Sequence, residues 1–555
     1  MDTRATAAGA TPAAGQGGAE RAKEYRTLRA GVWVLVVLTA AAYSVFALER
    51  YYAFRDGSYD LVIFDQAVRS YAHFQPGISI IKGVHNGFGP QFSVLGDHWS
   101  PILASLAPLY WIHNGPQTLL VAQAVLFALA IPPLWLFTRR AFGGGHRAVV
   151  AAYLVSVAYL LSWPIAAALH FNFHEVAFAP VLTAVALERL QAGRLRTALI
   201  ALAVLLLVKE DMGLLVAGIG LYLAVARPRV VPRQLLTGAI LMVVGVAATV
   251  IATYVLIPAF GGRSGYYWAY TALGGNVPQA LQHLITHPAS SLGLLITPRV
   301  KLVTMAWLFG AFCFLPLLSP ITLAVIPLLL ERMLGSVFPA WWSTSFQYNA
   351  FLVVILLCAA VDGAARLGRW VTAARQGRPA AAAAEGTVDG AAAGRVAAGT
   401  QVRAPARRGA AGVALGCAVA MCVVAVGLVP VFAFKAALHP QFYHRDARQN
   451  AAAAADAHVP SGVTVEAANS LGPALSSRDT VLLWDGDGSS PLRPTWIVAD
   501  VAGRVFSFST LQQQRDRVAL LERTGYQVVF QRKGYVVLHR IGGQASGGTS
   551  GGSAG

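Results

Sequence analysis

Long apolar runs without a single charge leave this chain few ways to fold. Residues 31–48, 115–138, 235–258 and 409–434 contain no Asp, Glu, Lys or Arg. Crossing a bilayer takes about 20 such residues, somewhat fewer or more with tilt. The whole chain follows suit, with 12% charged and 56% hydrophobic residues over 555 positions and a mean hydropathy of +0.56. Soluble proteins carry about twice that share of charge, and disordered chains lack this much apolar content. The sequence therefore predicts a polytopic α-helical membrane protein. The net charge of +18 does not point to nucleic acid, because the basic residues sit at the ends of apolar runs instead of on one soluble domain. The four cysteines, Cys313, Cys358, Cys417 and Cys422, all lie in apolar runs, which suits small buried hydrophobes.

About eleven transmembrane helices are expected, at 31–48, 115–138, 148–169, 176–190, 196–208, 211–226, 235–258, 301–318, 320–334, 348–365 and 409–434. The piece from Ile102 to Ile112 reads as interfacial or re-entrant. Cytoplasmic loops are enriched in Lys and Arg. With the N-terminus inside, Arg139, Arg140 and Arg147, then Arg189, Arg194 and Arg196, then Arg227, Arg229 and Arg233 all fall on the inner side. Loop 366–408 adds eight arginines against two acids. This yields a basic disordered N-terminus (1–30), a transmembrane domain (31–366) with outer loops 49–100 and 260–300, and a cytoplasmic disordered linker (367–408). A last span (409–434), a small extracytoplasmic α/β domain (435–541) and a disordered Gly/Ser-rich tail (542–555) follow. In the α/β domain, β runs are expected at Val463–Ala467, Thr480–Leu483, Trp496–Ala499, Gln527–Gln531 and Tyr535–His539. A helix is expected over Thr510–Glu522, and a terminal hairpin turned at Lys533-Gly534. Gly486-Asp-Gly488 is a turn signal.

Ionisable residues in or beside spans are expensive, and each is a functional candidate by default. They are Asp60 and Asp65; Asp97 and His98; His170, His174 and Glu175; Lys209, Glu210 and Asp211; and Glu331 and Arg332, with Gln347 and Tyr348 opening the next span. All fall on the outer side in this topology, with the arginine-rich turns on the other. One polar site at the outer membrane boundary is the simplest reading. Plainer roles exist for each: helix capping for the aspartates, a polar turn for Lys209–Asp211, an interfacial ion pair for Glu331-Arg332. His170 and His174, four apart, share a helix face as zinc ligands do, although the His-Glu-x-x-His pattern is absent. His174 and Glu175 are the candidate ligands for a divalent metal ion. Trp341 and Trp342 suit an aromatic belt, and Trp111, His113 and Lys301 suit the interface. No Walker loop or Gly-x-Ser-x-Gly elbow occurs.

An outward pocket at a bilayer surface meets lipid-borne substrates. A group donor must be carried there, for instance on a polyprenyl phosphate. Sugar transfer from such a lipid needs a base for the acceptor hydroxyl, which an Asp can supply. It also needs cations, or a divalent metal, for the departing phosphate. The residues above include both sets.

Tyr59-Asp60-Leu-Val-Ile-Phe-Asp65-Gln66, Leu95-Gly-Asp97-His98-Trp-Ser-Pro101, Phe173-His174-Glu175-Val-Ala-Phe, Lys209-Glu210-Asp211 and Glu331-Arg332-Met333 resemble a prokaryotic integral-membrane family of unknown function. That family is placed with the C-type, polyprenyl-phosphate-dependent glycosyltransferases. The likeness runs from about residue 31 to about 540, apart from the linker. It implies a C-type fold with an essential acid soon after the first span, matching Asp60 or Asp65, and an inverting transfer from a polyprenyl-phosphate-linked sugar to an extracytoplasmic glycan, lipid or protein. The adjacent acid pair usual in that group is not present here, so the base is left open between the two aspartates. In this reading Lys209, Arg332 and His98 stabilise phosphate, while Asp97, His174 and Glu175 position substrate or bind metal. The rival readings are a lipid or glycan transporter, which predicts internal repeats and midplane charges, and a non-catalytic envelope scaffold.

Overall fold

The computed structural model describes residues 13–56, 59–227, 229–263, 265, 267–377, 403–486 and 492–541. The middle of the expected linker (378–402), the tail 542–555 and Asp487-Gly488 of the expected turn lie outside the described residues. Helix α1 runs Ala13–Tyr52, so the N-terminal segment expected to be disordered is helical from Ala13. Its Ala-Glu-Arg-Ala-Lys-Glu run (19–24) consists of strong helix formers.

Six helices among the described residues are long and apolar enough to cross a membrane: Ala30–Tyr52, Pro116–Ala141, His146–Phe171, Gln234–Ala259, Gln347–Arg375 and Gly409–Leu428. A seventh crossing exists if Pro288–Leu294 and Arg299–Gly310, bent by 67°, form one span. The other expected spans are shorter helices, Phe178–Gln191, Leu195–Leu205, Met212–Val225 and Ile326–Leu334. Proline explains part of the shortening. Pro316 and Pro320 open tight 3-10 turns at Leu315–Leu318 and Pro320–Val325, because a proline inside a helix removes a hydrogen bond and clashes with the preceding turn.

The axis of the bundle is the helix Ala350–Arg375, in which every residue from Ala350 to Val361 is buried. A helix apolar all round belongs in a core. Its last turns take in residues 367–375, the start of the expected linker, and the next helix begins at Arg403. Met212–Val225 and Gln234–Ile251 approach backbone to backbone. A Cβ on Gly213 would strike the Gly245 carbonyl, and one on Gly220 the Gly238 carbonyl. Small residues permit such approach between membrane helices, and here they fix the polar turn just before Gly213.

The polar turns separate by end. Phe178–Gln191 has Glu175 before its start and Arg189 in its last turn. Leu195–Leu205 begins beside Arg194 and Arg196 and ends before Lys209. Met212–Val225 starts after Asp211 and ends before Arg227. At 1.5 Å per residue, the acidic and histidine-bearing turns lie at one end and the arginine-bearing turns at the other. Arg140 meets Glu188 at 2.8 Å across two of the latter.

The acidic end is covered by the segment after α1, with helices α2 (Tyr59–Ala72) and α3 (Ile80–His85), and by the C-terminal unit. There, β1 (Thr464–Ala467), β2 (Thr480–Leu483), β3 (Trp496–Asp500), β4 (Tyr526–Arg532) and β5 (Tyr535–Arg540) form one sheet in the order β2-β1-β3-β5-β4. β1 pairs in parallel with β2 and β3, and β5 pairs antiparallel with β3 and β4. The helix Leu511–Arg523 is opened by a capping box between Thr510 and Gln513. Each element lies within a few residues of the position read from the sequence, and the last hairpin turns at Lys533-Gly534, both at positive φ.

Candidate functional site

Two aspartates share α2 but not a face. Positions five apart on a helix differ by roughly 140° around its axis. Asp65 points into the seam with the C-terminal unit. It is fully buried, accepts from Arg69 at 2.7 Å and Tyr110 at 2.8 Å, and takes a further bond from the Ser476 hydroxyl. Burial pushes its carboxyl up despite these donors. Gln66 beside it donates to the Val481 carbonyl at 2.9 Å. Asp65 thus joins α2 to the sheet.

Asp60 sits in the first turn of α2 with 37% of its side chain exposed. Its Oδ2 is 3.9 Å from His174 Nε2. The His174 ring stacks on Phe171 and meets Phe64 edge-on. Asn172, at φ 106°, makes the turn that presents it. Burial lowers the His174 imidazole more than Asp60 and Glu175 raise it, so it faces Asp60 neutral at pH 7.

The next residue, Glu175, is 1% exposed and lies 3.1 Å from Lys209 Nζ. Lys209 opens a three-residue polar turn whose members diverge. Glu210 accepts from His98 Nδ1 at 2.7 Å and from the Trp99 amide at 3.1 Å. Asp211 leaves a buried Oδ1 without a hydrogen-bond partner. His98 stacks on Tyr267 with centroids 4.9 Å apart, and Tyr267 donates at 2.6 Å to Asp97, which also receives Lys82 Nζ at 2.9 Å. Arg332 donates to the Trp341 carbonyl and, at 3.0 Å, to Asn349. Its buried Nη1 has no hydrogen-bond partner. Glu331 lies within electrostatic reach of Asp211, Glu210 and Lys209. Tyr348 lies within reach of Lys209, Asp60, Glu175 and Arg332. Gln347 is buried beside it, with Oε1 unpartnered.

Asp60, Asp97, His98, His174, Glu175, Lys209, Glu210, Asp211, Glu331, Arg332 and Tyr348 are thereby gathered at one end of the bundle, and Asp65 is set apart. Lys82 and Tyr267 were not among the expected residues. The buried Lys82 follows Ile80-Ile81 in a short helix, an apolar setting for lysine that is visible in sequence, whereas nothing local marks Tyr267. Lys301, expected at the interface, is fully buried and donates to the carbonyls of Leu294, Met333 and Gly335. Among the described residues no three His, Cys, Asp or Glu side chains converge as metal ligands. Glu175 pairs with Lys209, and neither of its buried carboxylate oxygens has a hydrogen-bond partner.

Opposite charges hold Asp97, His98, Glu175 and Glu210 toward their ionised forms. Burial alone would raise Asp97 and Glu175, but Lys82 with His98 and the Tyr267 hydroxyl, and Lys209 with His98 and His174, together lower Asp97 and Glu175 respectively. Burial would lower His98, yet Glu210, helped by Asp97 and opposed by Lys209, holds it above its ordinary 6.5. Glu210 is held low in turn. A raised histidine stabilises fully below 6.5 and loses that contribution as pH climbs through the raised value. The melting temperature is therefore expected to fall as pH climbs above 6.5, and His98→Gln to flatten that limb. An unchanged limb above pH 6.5 in His98→Gln would remove His98 from this account.

No curated protein matches the chain. Among solved structures, the crystal structure of ArnT from Cupriavidus metallidurans bound to undecaprenyl phosphate aligns at 13% identity over 92% of this chain and 98% of that chain, with a TM-score of 0.45. The family described as predicted membrane protein (DUF2079) matches residues 50–537, and the chain belongs to that family.

Proposed function

We propose that this protein is a glycosyltransferase of the cell membrane that moves a sugar from a polyprenyl-phosphate donor to an extracytoplasmic glycan, lipid or protein. In this reading the N-terminus and the arginine-bearing turns are cytoplasmic, and the polar site and C-terminal unit face outward. The shorter helices at 176–190, 196–208, 211–226 and 320–334 complete the bundle as spans. The observation that carries the reading is an accessible carboxylate, Asp60, at the rim of a buried ionic array that also holds Arg332 Nη1 without a hydrogen-bond partner. The sequence resemblance to C-type transferases points the same way.

Asp60 takes the proton of the acceptor hydroxyl as its oxygen bonds to the anomeric carbon. The bond from that carbon to the phosphate oxygen breaks on the opposite face, which inverts the centre and releases polyprenyl phosphate. Arg332 offers the departing phosphate a buried guanidinium donor, the strong charge-assisted kind. Lys209 and His98 add positive charge from positions fixed by Glu175 and Glu210. His174 packs beside Asp60 and limits its orientations. No step needs a metal.

The test is turnover: purified protein in nanodiscs with labelled polyprenyl-phosphate sugars and membrane glycan acceptors. Release of polyprenyl phosphate with a new glycoside is the expected result. Donor binding without turnover across a broad panel, or donor movement between leaflets, would favour the transporter reading instead.

A further inference from the structure

A cavity of about 440 Å³ opens where α3 meets the C-terminal unit. That lies within the ~300–1,000 Å³ range of small-molecule pockets. The segments after β2 and β3 and the face of the Leu511–Arg523 helix line it, at the carboxyl ends of the parallel strands, where open α/β sheets bind ligands. Its polar lining includes His85, Asp485, Ser509, Gln513, Asp516 and Arg517. Behind it lies a charge with no structural explanation. Glu466, near the end of β1, the middle one of the three parallel strands, is 4% exposed, and its Oε2 has no hydrogen-bond partner. It acts electrostatically on Arg517 and Asp485, and the buried Arg517 Nε also lacks a hydrogen-bond partner. Burial pushes the Glu466 carboxyl up to about 7. Buried groups of this kind are costly unless something uses them.

The cavity borders the site already described. His85 pairs with Asp485 at 3.0 Å. Its ring contacts Tyr59 at 5.1 Å and Phe506 at 6.1 Å, and Tyr59 itself meets Phe506 at 5.6 Å. Tyr59 immediately precedes Asp60. Tyr59, the neighbour of Asp60 in the first turn of α2, thus packs against His85 of the cavity lining.

We infer that this cavity binds a neutral glycan and holds the acceptor beside Asp60, the acceptor role resting on the transferase reading above. Carboxylates, a guanidinium, an amide and hydroxyls in one lining offer the mixed donors and acceptors that adjacent sugar hydroxyls require. Phe508 and Leu520 add apolar lining. Two carboxylates against one guanidinium disfavour a phosphate. A bare cation is disfavoured because Asp485 already engages His85 and, among the described residues, no three ligands converge.

The test uses the full chain in nanodiscs, titrated with maltose, cellobiose, mannobiose and chitobiose and followed by saturation-transfer NMR. At least one sugar should bind the unaltered protein. Arg517→Gln and Asp516→Asn should weaken it about tenfold or more. Ser509→Tyr, at an exposed position on the cavity rim, should block it, and Asp60→Asn should bind as the unaltered protein does. No binding of any of these sugars, equal binding by the cavity variants, or displacement by inorganic phosphate or magnesium would each overturn the inference. In turnover, Ser509→Tyr should raise the acceptor KM and leave the donor KM unchanged. Cavity-dependent sugar binding without turnover of any donor would leave the glycan site standing and remove the transferase reading.

Discussion

Asp60→Asn should abolish sugar transfer while leaving the fold intact, and Asp65→Asn should do the reverse. A positioned general base contributes about 10²–10⁴-fold, so turnover in Asp60→Asn should fall by about that factor. Its stability should hardly move, because Asp60 is 37% exposed and its nearest charged neighbour is a histidine 3.9 Å away. Asp65 is different in kind. It is fully buried and takes bonds from Arg69, Tyr110 and Ser476. Removing one charge of a buried pair costs about 3–5 kcal/mol. The 20% exposure of the Arg69 side chain moves the expectation to the lower end, about 3 kcal/mol. Melting temperature and single-turnover rate, measured on the same folded preparations, separate the two. An inactive but stable Asp65→Asn beside an active Asp60→Asn would exchange their roles.

That split was within reach of the sequence, since five residues on a helix place two side chains on different faces. What the sequence lacked was the identity of each face's neighbour. Asp65 finds its partner at Ser476, and Tyr59 finds Asn469 at 2.7 Å, both more than four hundred positions away. The strands of the C-terminal unit were legible because each alternates with turn residues over a short stretch. The collection of acids and histidines at one end was legible too, since short helices alternate the ends at which polar turns must emerge. The number of full-length spans was not. Hydropathy registers apolar residues, but whether a proline-bearing run such as 315–334 forms one long helix or several short turns depends on what packs around it. Lys82 and Tyr267 join Asp97 only through tertiary contact.

Lys209→Met should destabilise the protein strongly, and adding Glu175→Gln should restore most of the loss without restoring turnover. Glu175 is 1% exposed and its countercharge is Lys209 at 3.1 Å, itself only 12% exposed. Burial would lower the Lys209 amine, but Glu175, with Asp211 and Glu210, holds it well above its ordinary value. Deleting that amine strands a carboxylate in a low-dielectric interior, at a cost of about 3–5 kcal/mol. Replacing both charges by groups of similar shape removes the desolvation burden as well as the attraction, a change that is often neutral. The double variant should therefore melt close to the unaltered protein. It would still lack one of the cations assigned to the departing phosphate, so turnover should stay low with donor binding weakened. If the pair only holds helices together, the double variant recovers turnover along with stability, and Lys209 leaves the phosphate-binding set. If Lys209→Met alone is stable, the ion pair is not what fixes the turn, and the weight of the site shifts to Arg332.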